Sequence, residues 1–439
     1  MLMDLGLISL LMCVTLLVLI FLGLPITFCL ISTSLIFTIA FWGFSKVSIL
    51  VTSTFGNMTN PTFLAIPLFI FMAAVLQSSG ITDDLFEAIW KWLGGVRGGL
   101  AIASVAAITI LSAMTGVGAT GIFTIGMIAY PQMMKRGYDQ MIAIGPIPPA
   151  SALGPLIPPS NIMIILGGFA SISVGSLFMG GFIPGFMISA GFIIYILIRC
   201  YLKPELAPVI PVEERPSLRE RLVATRGVAL PLILVLAVLG GIWTGVTTAI
   251  EGAGVGAFGA LVCAMVKHKL NLASLKESVT STLKANVMVM WLLIGGSCYA
   301  AFMSASGMSM YLGKLLMNLP IPPMGIVAVL LVVLLIMGMF IDSVAIIMIT
   351  VPIFFPIVRT LNFDPVWFGV LFTIAIVIGY ITPPFGYNLF YMRAILPKDV
   401  STKVIYRSVM PYIPIMIAVM FICMLFPKLI LILPEWLIG

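Results

Sequence analysis

A stretch of about fifty residues occurs twice in this chain, and the two copies hold one register. The first copy carries Ser112, Thr115, Gly116, Gly118, Thr120 and Gly121. It continues through Tyr130-Pro131 and Arg136-Gly137-Tyr138-Asp139 to Gly154-Pro155-Leu156-Ile157-Pro158-Pro159-Ser160-Asn161. The second carries Gly338, Asp342 and Ser343, then Phe355-Pro356, Asp364 and Gly379-Tyr380-Ile381-Thr382-Pro383-Pro384-Phe385-Gly386. Corresponding landmarks lie 225 residues apart (356 − 131, 364 − 139, 379 − 154 and 383 − 158). A constant offset over several landmarks is internal duplication, so the fold is confined to two equivalent halves. Each half has a polar, Gly-bearing break in one apolar run and a Pro-Pro break in the next. Paired interruptions at matching places are the sequence pointer to a secondary transporter's binding site.

The solvent for those halves is lipid. Of 439 residues, 61% are hydrophobic and 8% charged, against roughly 25% charged in a soluble domain. Repeated apolar runs predict one all-α polytopic domain in a bilayer, with about 11 to 13 spanning or re-entrant elements by run length. The net charge of +7 sits in loops, where it reports topology and argues against a nucleic-acid partner. Six scattered cysteines without a C-x-x-C, and the single His268 between Lys267 and Lys269, give neither a disulfide scaffold nor a His-based metal centre. The N-terminus has no basic region before its apolar run, so that run is expected to stay as a membrane helix.

Along the chain, residues 1–202 read as the first half, 203–227 as a charged cytoplasmic linker and 228–439 as the second half. Runs at 5–22, 25–43 and 62–79 predict spans. Residues 46–60 and the acid- and Trp-bearing 82–93 predict interfacial pieces. A hairpin and a broken helix are expected over 99–172 and again over 324–395. Arms of about 15 residues flank Met114-Thr115-Gly116-Val117-Gly118, marginal for a core of about 30 Å. They suggest a re-entrant hairpin, although a span with an unwound centre gives the same pattern. The break Ser304-Ala305-Ser306-Gly307 echoes Ser78-Ser79-Gly80, and a last span is expected at 410–433. Opposite insertion of the two halves, an inverted repeat, would bring both hairpin tips to the midplane.

Unwound backbone in hydrocarbon is costly unless protein, water or an ion satisfies it. Exposed carbonyls with the hydroxyls of Ser112, Thr115 and Thr120, and of Ser343 and Thr382, make a hard oxygen environment of the type alkali cations accept. Half-helix N-termini offer free N–H groups to an anion. Sodium with a small organic anion is thus the chemical reading. Each feature also has a plainer one. A Pro-Pro pair alone is a kink, and the glycines also suit close helix packing. Asp342 is either an ion-coupled carboxylate or a helix cap. Glu251 at the start of a span is a cap or a transport group. Arg393 either attracts anions or snorkels to the interface.

At these residues the sequence resembles the large membrane subunit of the tripartite ATP-independent periplasmic (TRAP) transporters, the DctM-like permeases. The most specific pieces are Leu156-Ile157-Pro158-Pro159-Ser160 after Arg136-Gly137-Tyr138, and Gly338-x-x-x-Asp342 followed by Pro352, Pro356, Asp364-Pro365, Gly369, Thr382-Pro383-Pro384-x-Gly386-x-Asn388. The stretch Glu251-Gly-Ala-Gly-Val-Gly256-Ala257 is similar to another family segment, with glycines in place of two alanines. The resemblance implies a scaffold plus an elevator-like transport domain. It further implies sodium-driven uptake of a carboxylate or sulfonate, a periplasmic solute-binding protein and a small four-helix membrane subunit, all at a bacterial inner membrane. That subunit is expected to be a separate chain. Carried onto this chain, the sodium ligands are Ser112, Thr115, Gly116, Pro158 and Ser160 in one unit and Gly338, Asp342, Gly379, Thr382 and Pro383 in the other. Thr120, Asn161, Ser343, Asn388 and Arg393 are the substrate candidates. The competing readings are a self-sufficient sodium- or proton-coupled carrier or antiporter of the same fold and a passive channel. An intramembrane enzyme is disfavoured because the breaks hold no Ser/His or His-metal constellation.

Overall fold

The computed structural model describes residues 5–116, 118–209, 211 and 215–438. Val117 of the first break and part of the 203–227 stretch lie outside them. Among the described residues every regular element is helical. Eight helices are long and apolar enough to cross a membrane, and five shorter apolar helices accompany them. At 1.5 Å per residue, the 18-residue helices are about 27 Å long, close to the thickness of a hydrocarbon core.

The two halves repeat each other down to their turns. Pro61–Ser78 ends where Gly80, at φ +71°, starts the amphipathic helix Ile81–Leu93, and Gly307, at φ +76°, starts Met308–Met317 in the same way. A left-handed turn between two helices selects glycine because other residues meet a Cβ clash there. Leu272–Ala305 runs unbroken for 34 residues, whereas the first half divides the equivalent length between Val47–Met58 and Pro61–Ser78. These pieces pack on the long helix, and the Asn57 side chain donates to Ser297 Oγ at 3.0 Å.

Two boundaries differ from expectation, each for a local reason. The helix Leu218–Trp243 begins inside the stretch read as linker because Ser217 and Glu220 form a reciprocal capping box, with Ser217 N donating to Glu220 Oε2 at 2.7 Å. Arg219, Arg221 and Arg226 therefore sit on a helix, and Arg221 lies 5.9 Å from the Trp92 ring centre. The last expected span is two helices, Tyr412–Leu425 and Lys428–Ile438. Pro427 disfavours helical geometry at Phe426, which ends the first of them.

In the first unit, Gly99–Thr115 and the segment from Gly118 to Lys135 fold back on one another, so the hairpin and not the unwound span is formed. The arms touch near the base and near the tip. Leu100 N donates to Tyr138 Oη at 3.4 Å, and Gly121 faces Ile108. In the second unit Pro323–Phe340 and Ser343–Thr360 form the corresponding pair. The duplicated aspartates have a shared structural task. Asp139 Oδ1 accepts Met141 N at 3.0 Å and Asp364 Oδ1 accepts Val366 N at 2.7 Å, each capping the helix that leads to a Pro-Pro break.

Candidate functional site

The hairpin tips meet the breaks. Gly116 ends the first arm at φ +63°, and a Cβ there would lie 2.5 Å from the Pro159 carbonyl oxygen, so both the turn and the approach require glycine. In the second unit the contact falls one turn earlier. A Cβ on Gly379 would lie 2.7 Å from Gly338 Cα, and Gly386 N donates to Met339 O at 3.2 Å. The close-packing reading therefore describes Gly338 and Gly379, while Gly116 also faces open space.

The units then cross over. The half-helix Asn161–Ala170, after the first break, packs on Ser343–Thr360 of the second hairpin. The half-helix Tyr387–Ile395, after the second break, packs on the π-helical turn Ile122–Gly126 of the first hairpin. Two long-range bonds fix this exchange. Asn388 Nδ2 donates to Pro148 O at 3.0 Å, and Arg359 donates to Ala170 O at 2.8 Å. The second also satisfies a carbonyl at a helix C-terminus.

Between the units lies a cavity of about 250 Å³. Gly116, Gly118 and Asn161 line it from the first unit, and Asp342, Ser343 and Asn388 from the second. Its far wall is Ile70 with Met288, Val289 and Leu292 of the 272–305 helix. Asp342 is the N-cap of Ser343–Thr360, with Oδ2 accepting Val344 N at 2.9 Å. It is thus a cap and a cavity group at once. Asn161 is 8% exposed, and its Oδ1 has no hydrogen-bond donor among the described residues.

The remaining expected residues fall into two shells. Thr115 and Thr382 each turn the hydroxyl hydrogen back to the carbonyl four residues earlier, at 3.0 Å and 2.7 Å, leaving oxygen lone pairs at the breaks. Ser112 is buried in the same final turn as Thr115. Ser160 is the N-cap of Asn161–Ala170, accepting Met163 N at 3.2 Å and donating to Pro155 O at 2.5 Å. Pro158 and Pro383 shape the breaks without lining the cavity. Thr120 lies on the short turn Gly118–Gly121, outside the cavity wall. Arg393 is a correction: its guanidinium donates to the carbonyls of Pro397, Lys398 and Val400, closing the loop after its helix, and does not face the cavity. Glu251 resolves as a cap, completing a box with Thr248.

Sequence reasoning missed the aromatic wall. Tyr380, Tyr387 and Tyr391 all line the cavity, and Tyr380 Oη, from the second break, accepts Ser343 N of the hairpin at 3.1 Å. The i, i+4 spacing of Tyr387 and Tyr391 directly after a break is the signal that places both rings on one helix face. The hydroxyl and carbonyl oxygens at the breaks are hard ligands of the type a sodium ion accepts. Among the described residues no cluster of three His, Cys, Asp or Glu is present to hold another kind of metal.

Residues 13–429 match the family model described as "Tripartite ATP-independent periplasmic transporter, DctM component". The chain is 32% identical over 401 residues to the C4-dicarboxylate TRAP transporter large permease protein DctM of Pseudomonas aeruginosa, covering 91% of this chain and 92% of that one. It is 29% identical to the ectoine/5-hydroxyectoine TRAP transporter large permease protein UehC of Ruegeria pomeroyi, covering 96% and 97%. Among solved structures, the YdaH transporter of Alcanivorax borkumensis superposes with a TM-score of 0.62 at 14% identity, over 88% of this chain and 90% of that one, a likeness of fold.

Proposed function

We propose, from the premise that the chain belongs to the DctM component family of the tripartite ATP-independent periplasmic transporters, that it imports an organic acid by sodium-coupled elevator movement. The observation that carries this reading is the convergence of both duplicated units on one cavity, with Asp342 and the Asn161 side chain inside it. A carboxylate in an apolar surround by default marks an ion-coupled position. Thr115, Gly116 and Ser112 at one tip, and Asp342, Thr382 and the carbonyls near Gly379 at the other, supply oxygens for sodium. The cavity opens between two bodies. One is the wall formed by Ile70 and the 272–305 helix, which acts as scaffold, and the other is the pair of interlocked hairpin units, which carries the load. The names of two relatives, one for C4-dicarboxylate and one for ectoine and 5-hydroxyectoine, support a small organic acid as the cargo.

In this reading the chain works in an inner membrane with a small four-helix membrane subunit and a periplasmic solute-binding protein. The test is reconstitution in liposomes with both partners and an imposed sodium gradient. Accumulation of the acid against its own gradient is expected only with sodium outside and the binding protein present. Uptake by this chain alone would replace the tripartite version with a self-sufficient carrier, and uptake indifferent to sodium would end the coupling claim.

A further inference from the structure

We infer that the cavity selects a small solute with one acidic group and, at its far pole, hydrogen-bond donors in place of a second acid. This deepens the preceding section and rests on its reading of the cavity as the solute's site.

Size comes first. About 250 Å³ is room enough for a short-chain acid.

The donors come next, and they lie at one end. At the start of Ser343–Thr360 the free N–H groups are already taken: Ser343 N by Tyr380 Oη at 3.1 Å and Val344 N by Asp342 Oδ2 at 2.9 Å. At the start of Tyr387–Ile395, Asn388 N is held by Tyr380 O at 3.1 Å and Leu389 N by Gly386 O at 2.9 Å. Among the described residues Tyr387 N is a single open group there, whereas the start of Asn161–Ala170 offers two adjacent ones. Ser160 caps Met163 N and Ile164 N, and among the described residues nothing takes the N–H groups of Asn161 and Ile162. Both residues line the cavity. Two adjacent N–H groups at the positive end of a helix hold one carboxylate.

Among the described residues the rest of the lining carries no cation, and its hydroxyls on Ser343, Tyr380, Tyr387 and Tyr391 are neutral groups that both donate and accept. The Asp342 carboxylate and the unpartnered Asn161 Oδ1 both offer lone pairs. Asn388 gives one of its two side-chain N–H groups to Pro148. No Lys, Arg or His lines the cavity among the described residues, and residue 117, outside them, is valine in the sequence. A sodium ion at Asp342 cancels that carboxylate, and one at the first tip, beside Gly116, balances the acid held at Asn161 and Ile162, so no positive charge is left over for a second acid. A second carboxylate would therefore be desolvated with only neutral hydroxyls as partners, whereas an amide or ammonium meets the Asp342 carboxylate and the tyrosine rings.

The test compares adipate with its monoamide, adipamate, and with 6-aminohexanoate, which keep nearly the same chain and change the second pole. The purified full chain in detergent with sodium chloride is titrated with each, and thermal unfolding is followed. Adipamate and 6-aminohexanoate are expected to protect at concentrations at least about tenfold lower than adipate, a difference of about 1.4 kcal/mol. Val289→Lys, which brings a cation to the cavity wall, is expected to raise the affinity for adipate. Equal or better protection of the unaltered chain by adipate overturns the inference and leaves the site in place. Protection by none of the three overturns the assignment of the cavity to the solute, and the inference falls with it.

Discussion

The side-chain nitrogen Nδ2 of Asn388 lies 3.0 Å from the carbonyl oxygen of Pro148, joining two segments 240 residues apart in sequence at the wall of the shared cavity. Both groups are buried, so removing the donor leaves a carbonyl without a partner. Asn388→Ala is expected to cost about 1–3 kcal/mol, read as a lower unfolding temperature in detergent. Asn388→Asp sets a carboxylate against that carbonyl and is expected to be worse. An Asp variant as stable as the parent would mean that the bond does not hold the units together.

Gly379 and Gly338 make a backbone contact that no side-chain rotation can relieve. Gly379→Ala is expected to destabilise by about 1–3 kcal/mol, as overpacking does. Gly254→Ala is the control. It meets nothing within 4 Å on a helix, and replacing a helical glycine with alanine is expected to be neutral or stabilising by up to about 1 kcal/mol. Thermal unfolding of the two variants side by side gives the comparison.

The duplication made most of the architecture legible, because Gly80 and Gly307, Asp139 and Asp364, and the two Pro-Pro breaks solve the same backbone problem twice. What a fixed offset cannot reveal is the exchange between units. That Asn161–Ala170 packs on the other hairpin depends on tertiary contacts such as Arg359 to Ala170 O, and no spacing encodes them. The same limit explains Arg393. A cation just past a break reads as an anion site, yet the three carbonyls that hold it belong to a turn whose geometry only the fold defines. The tyrosine wall was hidden for a simpler reason, since aromatic residues in a membrane chain are ordinary until a cavity is found beside them.

Glu251 and Thr248 bond reciprocally, with Thr248 N to Glu251 Oε2 at 2.7 Å and Glu251 N to Thr248 Oγ1 at 3.2 Å. Both are exposed and outside the cavity wall. Thr248→Ala is expected to lower stability by about 0.5–2 kcal/mol, the usual range for losing an N-cap, while the concentration of solute giving half-maximal uptake stays unchanged. A large change in that concentration would restore a transport role for this helix start.

Asp342 holds two roles that one substitution separates. Asparagine keeps a side-chain oxygen for Val344 N and serves as an N-cap about as well as aspartate, so Asp342→Asn is expected to unfold close to the parent temperature. It removes the charge, however, and a sodium site built on that carboxylate then binds less tightly. In the reconstituted system the sodium concentration for half-maximal uptake is expected to rise at least about tenfold, equivalent to about 1.4 kcal/mol of lost binding. Asp342→Ala loses the cap as well and is expected to lower both stability and sodium dependence. An asparagine variant with the parent's sodium response would reduce Asp342 to its cap.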